Sequence, residues 1–137
     1  MLAVRERDGK IYFIEESAGT TEKSLFLDIA DAIELNQNGG LRGLAFHPNF
    51  GIPGATGEED FFVYYSTNIN NSMYLRLSRF KAPGGGPADP SSEVVMIQQK
   101  EIPVLDHIGG GLVFDENGYL LVFFGDLEWT DETYDDA

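Results

Sequence analysis

The sequence predicts an all-β fold of successive antiparallel sheets, of the kind that forms the blades of a β-propeller. Three observations lead to this prediction. Almost every apolar run is short and ends at turn-forming residues, 16 of the 137 residues are glycine, and a strand–turn–strand block occurs twice. Many short strands with tight turns explain this glycine content better than helices do.

The N-terminal part predicts an incomplete sheet. Two apolar runs, residues 2–5 and 10–15, flank the dipeptide Asp8-Gly9, which is a strong hairpin signal in this position. A third strand is predicted over residues 24–29. The following segment, residues 28–35 (DIADAIEL), has the composition of one or two helical turns.

The middle part predicts a full sheet of four strands. Apolar runs at residues 41–47, 61–67, 73–81 and 93–98 are separated by turns or by glycine- and proline-rich linkers. Within 73–81 the residue types alternate with a period of two, which is typical of a half-buried strand. Four consecutive strands joined in this way form either one propeller blade or one meander sheet.

The last part predicts two strands, 110–114 and 119–124, that repeat the middle block. Gly43-Leu44-Ala45-Phe46, a turn and FFVYYS correspond to Gly111-Leu112-Val113-Phe114, a turn and LLVFFG. The copies lie 68 positions apart (residues 43 and 111), whereas propeller units span roughly 40–50 residues. The loop 52–60 and the linker 82–92 account for the excess.

Three, four and two strands make two to three blades, so residues 1–137 are predicted to be a fragment of a single propeller domain. A closed propeller hides its sheet edges and the faces between its blades. We therefore expect this piece to expose apolar blade faces and to self-associate through them.

Composition excludes several classes of partner. The formal net charge is −14 at pH 7, which repels nucleic acid and anionic membrane surfaces. The chain has no cysteine, so disulfides and thiolate zinc sites are excluded. No apolar stretch approaches the roughly 18 residues that cross a membrane. The N-terminus has no signal-peptide pattern. We predict no metal ligand within this chain.

The chain has only two histidines, and they stand in different contexts. His47 follows a strand in a turn and is read as a turn residue. His107 precedes three glycines, which let another backbone or a flat ligand approach because they lack a Cβ. If 110–114 and 119–124 form a hairpin, His107 and Asp126 meet at one end of it. A carboxylate bound to one ring nitrogen makes the other nitrogen a better general base.

These residues carry a resemblance to a known family. Residues 40–50 (GLRGLAFHPNF) resemble the "GLLGLAFHPDF" signature of soluble quinoprotein glucose dehydrogenases and aldose sugar dehydrogenases. Residues 107–114 (HIGGGLVF) are similar to the family's "HxGGxLxF", and residues 117–126 to its "DGyLY…GD". Residues 4–12 (VRERDGKIY) resemble its opening "VaErdGrIy". The likeness covers nearly the whole chain in the right order.

The resemblance implies a six-bladed propeller that uses pyrroloquinoline quinone (PQQ) and calcium to oxidise aldose sugars at the anomeric carbon. It places the catalytic base at His107, the carboxylate that orients the base at Asp126, and a sugar contact at Asp106. A polar residue before the first signature contacts the cofactor, and an extra glycine leaves this assignment open between Gln37 and Asn38. The full-length parent is expected to be periplasmic or secreted.

The resemblance also shows a departure and a gap. Arg42 stands where the family has leucine, which places a charge near the blade face. The basic residues that hold the cofactor and the calcium ligands belong to later blades, and an anionic quinone would bind poorly to a chain of this charge.

Two alternatives remain at this stage. The chain could be part of a non-catalytic extracellular binding propeller of the hedgehog-interacting-like type, although such a module has no need of the His107 and Asp126 pair. It could also be a complete small β-sandwich.

Overall fold

The computed structural model describes residues 2–17, 19–100 and 107–126. Within them the protein forms three antiparallel sheets, and every strand pairs with its neighbour in sequence: β1-β2-β3, β4-β5-β6-β7 and β8-β9. The strands are β1 (Leu2–Arg5), β2 (Lys10–Ser17), β3 (Thr20–Asp28), β4 (Leu41–Phe46), β5 (Asp60–Ile69), β6 (Ser72–Lys81), β7 (Asp89–Lys100), β8 (Gly109–Phe114) and β9 (Leu120–Phe124). The all-β prediction and the order of three, four and two strands are confirmed.

Two details differ from the sequence-based expectation. β3 begins at Thr20 rather than at residue 24, because its exposed polar half pairs with β2 through the backbone and needs no apolar residues. The helical segment expected over 28–35 is a single 3-10 turn, Ala30–Ala32, and the Asp28 carboxylate accepts a hydrogen bond from the Ala30 amide at 3.0 Å.

The two central strands of the middle sheet, β5 and β6, are buried on both faces. Along β5, Phe61, Val63 and Tyr65 pack toward the first sheet, whereas Phe62 and Tyr64 pack toward the third. This explains why FFVYYST is a continuous apolar run rather than an alternating one. The alternation predicted for β6 is present, but the strand is not half-buried, because Leu77 on one face and Phe80 on the other are both at most 2% exposed.

Aromatic rings fill the interface between the first and second sheets. The centroid of the Phe26 ring lies 4.2 Å from that of Phe13 and 4.9 Å from that of Phe61. Phe61 stacks on Phe80 with a distance of 5.8 Å between ring centroids. Offset and tilted ring pairs at such distances add stability beyond the area that they bury. This packing joins sheets that the backbone ladder does not connect.

The third sheet covers the middle sheet with one face only. Leu112, Phe114, Leu120 and Val122 pack against the cluster formed by Phe62, Tyr64, Leu75, Leu77 and Ile108. The opposite face exposes a row of apolar side chains, namely Val113, Leu121 and Phe123. This row has the composition of a face that another sheet could cover.

The internal repeat is confirmed by the strand register. Leu41 pairs with Tyr65 and Gly43 with Tyr64, skipping Arg42; Gly109 pairs with Phe124 and Gly111 with Phe123, skipping Gly110. Each hairpin therefore has a β-bulge at the same point, and a bulge increases the local twist of its strand.

A network across the middle sheet supports a stability prediction. The Tyr65 hydroxyl donates to the Glu93 carboxylate, which also accepts from the Ser78 hydroxyl at 2.6 Å. Burial, and then the bond to Glu93, raise the pKa of the Tyr65 hydroxyl above its ordinary value of about 10. Because the folded-state pKa is the higher one, the stability contributed by the neutral hydroxyl is complete below about pH 10 and is lost as the pH rises through the folded-state pKa.

Tyr65→Phe is therefore expected to lower the free energy of unfolding by about 1–2 kcal/mol at pH 7. It should also reduce the alkaline decline of stability above about pH 10. Urea unfolding of both proteins across this range measures the difference. Tyr119→Phe is the control, since Tyr119 is 69% exposed. An equal alkaline decline in Tyr65→Phe and wild type would contradict the prediction.

Candidate functional site

Strand ends and turns from all three sheets meet at one edge of the molecule, which we call the site rim (residues 5–9, 35–42, 107–110 and 125–126). The Leu41 amide donates to the Arg7 carbonyl at 2.9 Å, which joins the first sheet to the start of β4. The bulges at Arg42 and Gly110 face each other, because a Cβ on Gly110 would lie 2.5 Å from the Arg42 Cβ. The site rim is therefore continuous across the three sheets.

The structure brings His107 and Asp126 together on the site rim. Nδ1 of His107 lies 3.2 Å from Oδ1 of Asp126, and the two side chains are 57% and 78% exposed. The predicted approach of these side chains is confirmed. Gly109, two positions after the histidine, pairs with Phe124, two positions before the aspartate. With the carboxylate accepting from Nδ1–H, Nε2 is the basic nitrogen of the ring.

Two glycines make this approach possible. A Cβ on Gly125 would overlap the carbonyl oxygen of His107, and a Cβ on Gly109 would overlap the carbonyl oxygen of Phe123. His107 itself has a φ of +46°, in the left-handed region that non-glycine residues seldom adopt. The backbone around the pair is thus held in one specific arrangement.

The three glycines after His107 serve packing between strands. A Cβ on Gly110 would press on Arg42 of β4, and a Cβ on Gly111 would lie 3.2 Å from the Phe123 ring. Of the two approaches that the sequence left open, the structure shows the approach of another backbone. The glycines bring β8 close to β4 and β9.

Tyr64, a buried residue that the sequence analysis did not single out, contacts the backbone segments that carry His107 and Asp126. The Tyr64 hydroxyl donates to the Ile108 carbonyl at 3.0 Å, and the Tyr64 ring lies edge-on to Phe124 at 5.6 Å. In sequence, Tyr64 is one of several aromatic residues in an apolar strand, and nothing in the pattern separates it from its neighbours.

Gln37 and Asn38 lie in the loop before β4, with both residues exposed. Arg7 holds this loop: its guanidinium donates to the carbonyls of Gly39 at 2.6 Å, of Leu35 at 2.8 Å and of Gln37. The geometry does not decide between the two amides. Arg7 is a second residue that the sequence analysis missed, because its partners lie about thirty positions away.

Three arginines, Arg5, Arg7 and Arg42, lie on the site rim. Arg5 donates to the Leu41 carbonyl at 2.8 Å, and the pKa of its guanidinium is lowered by burial and by the charge of Arg42. Among the described residues, neither these two arginines nor Arg7 forms an ion pair with a carboxylate. The site rim also carries Glu6, Asp8 and Asp126, so its arginines and carboxylates balance in formal charge, in a chain of net charge −14.

The other histidine lies at the opposite edge, the far rim (residues 47–59, 82–88 and 115–119). Nδ1 of His47 accepts a hydrogen bond from the Asn49 amide at 3.1 Å, and its ring packs against Phe114. This confirms the reading of His47 as a turn residue. A cavity of about 290 Å³ also lies on the far rim, lined by Gly51, Glu58 and Gly84 among others.

Three further observations concern assignments that the sequence predicted. Asp106, the predicted sugar contact, lies outside the described residues. Within the described part of the chain, no three His, Asp or Glu side chains are grouped so that they could hold a metal ion. The described residues also include no helix that could span a membrane.

Sheets of consecutive antiparallel strands stack face to face, and the first strands of the middle and third sheets, β4 and β8, are adjacent. This is the arrangement of the blades of a β-propeller. A family model described as Glucose / Sorbosone dehydrogenase matches residues 1–136. The chain therefore belongs to the glucose/sorbosone dehydrogenase family, and the expected family is confirmed. The alternative of a small β-sandwich is wrong, because the middle sheet has a sheet on each of its two faces.

Proposed function

We propose that this chain provides the catalytic base of a quinoprotein that oxidises aldose sugars. His107 is the base that takes the proton of the anomeric hydroxyl, and Asp126 orients it. The observation that carries the proposal is the 3.2 Å contact between Nδ1 of His107 and Oδ1 of Asp126 in a member of this family.

Each residue has a defined task in this reaction. The Asp126 carboxylate keeps the proton on Nδ1, so that the Nε2 lone pair points toward substrate, and it stabilises the imidazolium that forms. The anomeric O–H bond breaks and its proton moves to Nε2, while the C–H bond breaks and its hydride leaves, so that the sugar becomes a lactone. PQQ, when bound, supplies the hydride acceptor.

The described residues fit the quinone in part. The amides of Gln37 or Asn38 can donate to its oxygens, whereas Arg5 and Arg7 already donate to backbone carbonyls of the site rim. Among the described residues, no three His, Asp or Glu side chains are grouped so that they could hold calcium. We assign no step to calcium.

The remaining assignments rest on the family resemblance. Asp106 is proposed as a sugar contact beside the base. The partner is a small sugar molecule, and the parent protein is proposed to be periplasmic or secreted. Self-association through the exposed face of the third sheet is proposed as well, since Val113, Leu121 and Phe123 are exposed there.

The test is sugar oxidation by the full gene product that contains this chain. The protein is incubated with PQQ and calcium, and reduction of an acceptor dye is followed with an aldose and with the same sugar lacking its anomeric hydroxyl. We expect turnover and lactone formation with the aldose only. If the quinone-loaded protein oxidises neither sugar, the chain is a binding propeller of the non-catalytic type.

A further inference from the structure

We infer that Tyr64, in β5 of the middle sheet, is a positioning residue for the His107–Asp126 pair, which lies on the third sheet. Its effect on sugar oxidation rests on the proposed function, but its effect on the geometry of the pair does not. The residue acts across the interface between two sheets.

Tyr64 contacts the backbone neighbourhood of both members of the pair. Its hydroxyl donates to the carbonyl of Ile108, the residue directly after His107, at 3.0 Å. Its ring lies edge-on to Phe124 at 5.6 Å, and Phe124 stands two positions before Asp126. One side chain therefore fixes the segment that leads into β8 and the end of β9.

The site needs such a support. His107 adopts a left-handed backbone conformation, and a non-glycine residue persists there only when its surroundings hold it. The side chains of His107 and Asp126 are both exposed, so their own contact is weakened by solvent. Tyr64 and Ile108, in contrast, are 0% and 1% exposed, and a hydrogen bond sheltered from water is a firmer constraint.

The neighbouring residue supplies a matched control. Tyr65 is equally buried and also uses its hydroxyl, but it points to the first sheet and donates to Glu93. Tyr64→Phe and Tyr65→Phe each remove one buried hydroxyl from the same strand. Only the first removes a contact to the third sheet.

The first readout is the tautomer of the His107 ring, measured by ¹H–¹⁵N long-range NMR correlations. The chain has two histidines, so the His107 signals are identified by their loss in His107→Ala. In wild type and in Tyr65→Phe we expect one tautomer, protonated at Nδ1. In Tyr64→Phe we expect a mixture of both tautomers, as in Asp126→Asn.

The second readout is the kinetic split in the full gene product. Tyr64→Phe should lower kcat about fivefold with KM unchanged, which is the size expected for one lost hydrogen bond. If the wild type oxidises no sugar, the proposed function fails while the NMR result still decides the role of Tyr64.

A Tyr64→Phe protein whose His107 signals match wild type, while Asp126→Asn alters them, would overturn the inference. If Tyr64→Phe does not fold, Phe124→Leu removes the ring contact instead and should give the same mixture of tautomers. A wild-type spectrum in Phe124→Leu would then overturn it.

Discussion

Replacement of His107 by alanine is expected to lower quinone-dependent sugar oxidation about 10²–10⁴-fold, which is the usual contribution of a positioned general base. The imidazole is the group that takes the substrate proton, and Asp126 at 3.2 Å fixes its tautomer. The loss should appear in kcat, since binding of the sugar does not depend on proton transfer. Steady-state dye reduction by the quinone-loaded full gene product measures it.

His47→Ala is the matched control for this variant. His47 lies on the far rim, where its ring accepts a hydrogen bond from Asn49 and packs on Phe114. Its replacement should reduce stability slightly and leave turnover within about twofold of wild type, as expected for a residue outside the reacting groups. If His107→Ala retained turnover within threefold, His107 would have no part in the mechanism.

Gly125→Ala is expected to separate His107 from Asp126 and to destabilise the protein by about 3 kcal/mol, the upper range for inserting a methyl group into packed surroundings. The added Cβ would overlap the His107 carbonyl oxygen, and the atoms in the way belong to the backbone rather than to a flexible side chain. The end of β9 must therefore move away from the start of β8, and Asp126 moves with it.

Gly111→Ala in the same hairpin is the control for this effect. A Cβ there would lie 3.2 Å from the Phe123 ring, which can shift by a few tenths of an ångström. Its cost should stay below about 1 kcal/mol. Urea unfolding gives the two free energies, and the NMR tautomer assay shows whether the pair persists. Equal stability of the two variants would contradict the assigned role of Gly125.

Much of this fold was predictable because each strand pairs with a strand that is close to it in the sequence. The turn Asp8-Gly9 and the alternating runs define hairpins, and a hairpin with a short turn places the residues before its first strand beside those after its second. That reasoning was enough to bring His107 and Asp126 together. It also identified the repeat, whose two copies share one register.

The supporting contacts were not predictable because they join sheets that are far apart in sequence. Tyr64 bonds to Ile108 and Arg7 to the loop at residues 35–39, and no periodicity encodes which sheet a buried side chain faces. The choice between Gln37 and Asn38 stays open for a related reason. An inserted glycine shifts the alignment, and both amides lie exposed in the loop that Arg7 holds.

The two copies of the repeat differ mainly in the connection between their first and second strands, which is long in one (residues 47–59) and short in the other (residues 115–119). Both connections lie on the far rim. The segments that differ in length therefore lie at the opposite end of the sheets from the His107–Asp126 pair. Ile52, which is 52% exposed in the long connection, is consequently a suitable place to attach a fluorophore or a tether without disturbing turnover.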